Sequence, residues 1–481
     1  MILFLIILEK KIMLTLHQFY RRVAFGLTEK DDIKNPLEDS IKQLSNTNSV
    51  SWDHAIPTML DGIKYVVQIK RITKKVREKE GGGTGDVLKA MKKEGLSDDI
   101  WRYELSFRAH NAIHGPSPVL DRFQFFWGNH FPIHGKKIGA SVGPYHRLLI
   151  RESLTSSFSD LVKNVITSSP MMRYLDNVDN IGESSRFAKD QRKSGNNNLG
   201  FNENLARELM ELFTISPSSG YTQKDVANVT KILSGWGGDK KWQKKHKSVG
   251  DMYGPIVFRK DCHEGGSQTV MGKTYIGGEN KLFELIDNLC SMDQCAVFIA
   301  NKLAIHFISD NPPQAAIEHI RSSFKSSGGN LISIHQATLE AVWKYGEPNK
   351  KVTWPEIWLI QAMKILNFRL YPLNLSDDQP MNFNRYHLAI NKLGNDPFEH
   401  GQPNGYSSIN TDWLSPELMD RRTIIALFIQ NMMNKNSTGE SLLNKISFSI
   451  PDSQALKEIT SSQMDPNALV KILCHRDFIR I

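Results

Sequence analysis

The sequence predicts a mainly α-helical fold, one large multi-helix globular domain with a small β-hairpin excursion near residues 255–278. Three observations predict it. Apolar residues recur at three- and four-residue spacing along most of the chain, whereas strand-like alternation is scarce. Helix-start chemistry is written at several boundaries. Hydrophobic residues fill 40% of 481 positions, which supplies a sizeable core and excludes a wholly disordered chain.

Residues 16–24 and 55–76 read as helices, and "KEGGGTGD" over 79–86 as a flexible break. Helical spacing resumes over 87–110, 117–131 and 146–174. The stretch 177–200 is rich in Asn, Ser, Gly and charge and reads as an insert. Helices follow at 203–214 and 223–234. In the second, Thr222 stands three residues before Asp225, a capping box; Val226, Val229 and Leu233 share a face, and Gly235 suits the left-handed stop. The segment "PIVFRKDCHEGGSQTVMGKTYIGG" alternates and is Gly-rich, as a hairpin requires. Helices are then expected at 279–291, 293–308, 313–324, 331–345, 355–367, 415–434 and 466–474. Thr353 with Pro355 and Glu356 reads as a second capping box, and Ser415-Pro416-Glu417 repeats the pattern.

The expected organisation is a helical domain over 13–434, with inserts near 79–86, 177–200 and 237–250, and a helical extension over 435–481. Residues 1–12 read as a mis-called N-terminal extension. The apolar run from Ile2 to Leu8 is too short to span a bilayer and lacks the flanks of a signal peptide, while Met13 opens a natural start. With no other transmembrane candidate, the sequence alone reads as cytoplasmic.

Lys and Arg number 60 against 51 Asp and Glu, a mild excess of +9. The densest basic run is Lys240, Lys241, Lys244, Lys245 and Lys247, with Trp242 and His246 interleaved. It fits a solvated loop as well as a nucleic-acid patch. Four cysteines exclude a disulfide scaffold. Cys290 and Cys295 lack the second pair a zinc site needs, and all four thiols, with Cys262 and Cys474, read as reduced or buried. P-loop, dinucleotide, zinc-protease and nucleophile-elbow motifs are absent, as is any fixed-period repeat.

Chemistry concentrates in "NENLARELMELF", Asn202 to Phe213. At 100° per residue, Glu203, Asn204, Arg207, Glu208 and Glu211 fall within an arc of about 140°, with the apolar residues opposite. Two readings stand: a solvated face with one i,i+4 ion pair, or a carboxylate face turned to a polar cavity, able to bind a cation or act as acid and base. In "RFQFFWGNHFPIHG", His130 and His134 are separated by Pro132, which favours a core or capping histidine over a shared ligand face. In "KDCHEGGSQTVMG", His263 beside Glu264 in a Gly-rich turn is the stronger functional candidate.

Taken in order, "LHQFYRRVAFG", "FFWGNHF", "MMRYLDN", "NENLARELMELFTI", "GYTQKDVANVTKILSGW", "CHEGGSQTVMGKTY", "FIANKLAIHFISDNPP" and "NTDWLSPELMDRR" resemble the bacterial family termed domain of unknown function 1800, from about residue 16 to 430. The resemblance implies a predominantly helical fold and carries no established activity. It implies an exported or envelope-associated setting, beside a sulfatase-like partner family. Its polar motif positions fall on Asn129, His130, Asp176, Asn202, Glu203, Asn204, Arg207, Glu208, Glu211, Tyr221, Trp236, His263, Trp413 and Arg421. Three positions depart from the family pattern: Gly128 replaces the first histidine of W-H-N-H-F, Phe213 stands where histidine is frequent, and His263-Glu264 replaces H-D. The two lost imidazoles weaken any metal site that needed them.

The functional expectation is a hydrolase-like or cation-binding enzyme. Glu208, Glu211, His130 and His263 would serve as acid, base or cation ligands, with a divalent cation as the implied cofactor. Asn129, Asp176, Asn202, Asn204, Arg207, Tyr221 and Trp236 would line the substrate pocket. The alternative is a non-catalytic envelope assembly or binding protein in which the same residues form structural polar networks. Nucleic-acid binding is the weakest reading, because the 240–247 cluster lies outside the family blocks.

Overall fold

The computed structural model describes residues 13–50, 57–94, 100–196, 199–239, 255–368, 370, 383–433, 439–451, 454, 456–457 and 467–481. The expected 1–12 extension and the 240–247 basic cluster lie outside the described residues, as does most of the 237–250 insert. The fold is mainly α, with two small two-stranded antiparallel sheets.

Most expected helices form where the caps say they should. Thr15 and Gln18 close a capping box on Leu16–Val23. Thr222 and Asp225 do the same on Gln223–Leu233, and Gly235 follows at φ +82. Elsewhere long expected helices are divided. The 87–110 stretch is two helices, Thr84–Lys93 and Ile100–His114, and the first begins inside the expected break because Asp86 accepts the Gly83 N–H at 3.0 Å. The 146–174 stretch contains separate helices Phe158–Ile166 and Ser169–Tyr174. Ser157 and Ser168 end the preceding turns by capping the N–H groups of Asp160 and Met171. The 177–200 insert holds a helix, Arg186–Lys193, capped by Ser185. Helices Pro36–Lys42 and Phe383–Leu393 lie outside the expected helical stretches, and Gly439–Ser449 falls within the helical extension expected over 435–481.

Thr353 is a correction. The N-cap of Pro355–Ile365 is Trp354, with no side-chain cap bond, and Thr353 Oγ1 is buried without a partner among the described residues. Glu356 is drawn away to Arg108, meeting Nε at 2.9 Å with side-chain exposures of 3% and 5%. The β excursion begins earlier than expected. Strand β1 (Trp236–Gly238) pairs with β2 (Ile256–Phe258), and β3 (Gln268–Val270) pairs with β4 (Lys273–Tyr275) through the two-residue turn Met271-Gly272, both at positive φ.

One continuous apolar cluster runs from Leu14 to Ile479 and includes Trp127, Trp358, Phe123 and Tyr386. Three consecutive helices, Asp293–Phe307, Gln314–Ser326 and Leu331–Tyr345, pack on one another. The C-terminal residues pack back on earlier segments: Val352 bridges Arg480, and Arg22 donates to the carbonyls of Ile308, Glu347 and Ile481. No described helix is long and apolar enough to cross a membrane. None of the four cysteines is in a disulfide; Cys262, Cys290 and Cys295 are buried and Cys474 is partly exposed.

Candidate functional site

The acidic helix starts from a side-chain turn. Asn202 Oδ1 accepts the Asn204 N–H at 3.1 Å, and the Asn202 N–H donates to Asn180 Oδ1 at 3.2 Å. Asn204–Glu208 is α-helical, but Leu209–Thr214 widens into a π-turn, with Ile215 N–H reaching Met210 O at 3.0 Å. The 100° spacing therefore holds only as far as Glu208. Such a widened turn recurs at functional sites. Leu205, Leu209, Met210 and Phe213 are buried, which turns the polar residues to the opposite side.

On that side Arg207 Nη2 donates to Glu203 Oε2 at 3.2 Å and to Gln223 Oε1 at 3.1 Å. Gln223 Nε2 donates to the same glutamate oxygen at 2.9 Å. Among the described residues no hydrogen bond reaches the half-buried Glu208 carboxylate. Burial, and then the neighbouring Glu211 charge, push its carboxyl up to about 7 against the pull of Arg207. Tyr221 OH donates to Glu211 Oε2 at 3.2 Å. Tyr174 stands nearby, its phenol pushed up to about 12 by burial and by the Glu208 charge. The Tyr174 carbonyl accepts from Lys137 Nζ at 2.7 Å, and the same ammonium meets Asp176 Oδ2 at 2.7 Å. Glu203, Arg207, Glu208, Glu211 and Tyr221 thus share one face, with Asp176 linked to its edge through Lys137 and Tyr174; Asn204 is exposed at the helix start.

The two histidines sit in other surroundings. His130 is buried among Phe126, Trp127, Phe131 and Phe213, and its Nε2 meets the Phe213 carbonyl at 3.1 Å. Burial, with Lys302 nearby, holds it well below the usual imidazole range, hence neutral. It therefore supports the end of the acidic helix through backbone. His263 Nδ1 lies 2.8 Å from Ser234 O, its ring against Phe258. Glu264 N–H donates to Ser234 Oγ at 2.8 Å. Trp236 is buried beside Phe258 and Phe283, and its carbonyl accepts from Asn177 Nδ2 at 3.3 Å.

Asn129 is a main-chain clamp. Its Nδ2 donates to Tyr406 O at 2.9 Å, and its Oδ1 accepts the Tyr406 N–H at 2.7 Å. Trp413 Nε1 donates to Ser407 O at 2.8 Å, and Arg421 spans Glu417 and Lys392 O. Sequence reasoning missed Tyr174, Lys137 and Gln223. Tyr174 carried a signal, two residues before Asp176 in the "MMRYLDN" block. Among the described residues no three His, Cys, Asp or Glu side chains gather to hold a metal ion.

A family described as Protein of unknown function (DUF1800) matches residues 18–478. The chain belongs to this family. No curated protein and no solved structure matches it. In this DUF1800 chain the glycine at 128 has a structural correlate: a Cβ there would stand 2.6 Å from His146 Nδ1. His146 is buried, and neither ring nitrogen has a hydrogen-bond partner among the described residues. An imidazole from elsewhere in the chain thus occupies the space beside Gly128.

Proposed function

We propose that the protein is a hydrolase-like enzyme working by proton transfer at the Glu208–Glu211 face. Two carboxylates stand three residues apart, Glu208 at the end of the α-turn and Glu211 on the widened turn that follows, and the adjacent guanidinium is engaged by Glu203 and Gln223 instead. That observation carries the reading. A half-buried carboxyl held near neutrality can donate a proton to a leaving group, while a second carboxylate nearby activates water. Glu208 takes the first role and Glu211, positioned by Tyr221, the second. Arg207, Asn204 and Lys137 line the approach as donors for a polar substrate.

The test is hydrolysis of a chromogenic ester, glycoside and phosphodiester panel by wild type and by Glu208→Gln. Loss of on the order of 10²-fold in kcat, with a wild-type pH profile limb near 7, supports the reading. Turnover unchanged in Glu208→Gln refutes it.

A second reading has its own observation: the motif-block residues Asn129, His130, Asn177 and His263 all bond to main chain. It makes the motifs a scaffold for an envelope assembly or binding protein, with the sulfatase-like family as partner. Co-purification of that partner with catalytically silent wild type supports it.

A further inference from the structure

A second polar site lies at the seam between the first helix and the last turn of the chain. It is a cleft of about 230 Å³, lined by Gln18, Arg21, Asn349, Arg476, Asp477 and Arg480 among others. Three guanidinium groups face one carboxylate there. That carboxylate is already engaged: Asp477 Oδ2 accepts the Gln454 N–H at 2.8 Å, and Oδ1 lies 3.5 Å from Arg476 Nε.

The arginines are unequal. Arg21 is 3% exposed. Its donors go to Gln361 Oε1 at 3.2 Å, Asp477 O at 2.8 Å and Phe478 O at 2.5 Å, neutral oxygens in every case. Its buried charge therefore has no carboxylate in direct contact among the described residues. Arg480 is partly exposed, and its side chain has no hydrogen-bond or ion-pair partner among the described residues. Arg476 is 76% exposed, so its contact with Asp477 is screened. A buried cation whose donors all end on neutral oxygens, beside the unpartnered Arg480 fork and the loosely paired Arg476 fork in a concave space, is the chemistry that holds a tetrahedral oxyanion, since each fork can present paired N–H donors. The volume sets the scale. It falls below the range of about 300–1,000 Å³ typical of drug-sized ligands, so it suits a compact molecule.

We propose that this cleft binds a small ligand through a phosphate or sulfate group, with Arg480 and Arg476 as the grasping residues and Arg21 as the fixed charge behind them. Gln18 and Asn349 supply neutral donors for the rest of the ligand. The site is independent of the Glu208 face.

Isothermal titration of the full chain with inorganic phosphate, and separately with sulfate, tests it, against potassium chloride and sodium succinate at matched ionic strength. The expected result is one saturable site for phosphate, sulfate or both. Arg480→Gln should weaken it at least 10-fold and the Arg476→Gln/Arg480→Gln pair should abolish it. Neither variant should lower the ligand-free melting temperature, because Arg480 gives up no partner and Arg476 only a screened one. Preference for one ion identifies the ester class. Heats no greater than chloride, succinate binding as tightly as phosphate, or unchanged binding in the double variant would overturn the proposal. If the double variant melts lower than wild type, Arg480→Lys decides: it keeps the charge and loses the fork, and unweakened phosphate binding by it is refuting.

Discussion

Replacing Glu208 by Gln should make the protein more stable at pH 8 and leave it unchanged at pH 4. The Glu208 carboxyl is raised from its ordinary 4.5 to about 7 by burial and by Glu211. A raised acid binds more protons folded than unfolded between those two values, so stability falls as pH rises through that window and stays low above it. Full desolvation would make this about 3 kcal/mol. Glu208 is only half-buried, and solvent screening leaves about 1 kcal/mol. Gln imitates the neutral acid and removes the penalty. Unfolding entropy of about 2.1 cal/mol/K per residue comes to about 1 kcal/mol/K for this chain, so the expected gain is about 1 °C above pH 7. Differential scanning fluorimetry of both proteins at half-unit pH steps from 4 to 8 reads this directly. A Gln variant that melts lower than wild type at pH 8, or curves that stay parallel across the whole range, would refute the reasoning and with it the neutral-acid role.

Five further perturbations have expected signs. Glu356→Ala leaves Arg108 charged and unpaired in the interior, and should cost about 3–5 kcal/mol, or about 3–5 °C in a calorimetric melt. The double change Arg108→Met/Glu356→Leu should recover most of that loss. Gly128→Ala forces a Cβ against His146 and should cost about 1–3 kcal/mol, read as a lowered denaturant midpoint. Thr222→Ala removes a working cap and should cost about 1 kcal/mol, whereas Thr353→Val, which deletes an unpartnered buried hydroxyl, should be neutral or stabilising in the same urea titration.

What was legible in the sequence was what is local. The Thr222–Asp225 cap, a hairpin somewhere within 255–278 and the polar side of the Asn202–Glu211 helix all depend on residues a few positions apart. Ser157 and Ser168 are equally local, yet the apolar spacing around them runs on, and so three helical segments, 145–153, 158–166 and 169–174, read as one stretch. Thr353 misled because the capping box needed Glu356, and Glu356 answers to Arg108, 248 residues away. At the acidic face the carboxylates were visible, but Tyr174, Lys137 and Gln223 come from other segments. The change from α to π geometry after Glu208 leaves no composition signature at all.

That change gives the acidic helix a stored phase shift. A π-turn is an α-helix carrying one residue too many, kept because its neighbours hold it open. Inserting a further residue between Leu209 and Thr214 would exceed the one extra residue that the widened turn absorbs and rotate everything beyond it by about 100°. The Phe213 carbonyl would swing off His130, and the second carboxylate would point along a different bearing from the first. An added residue in this stretch is therefore a sharper disruption than most substitutions within it, whereas loss of one would let the turn close in phase.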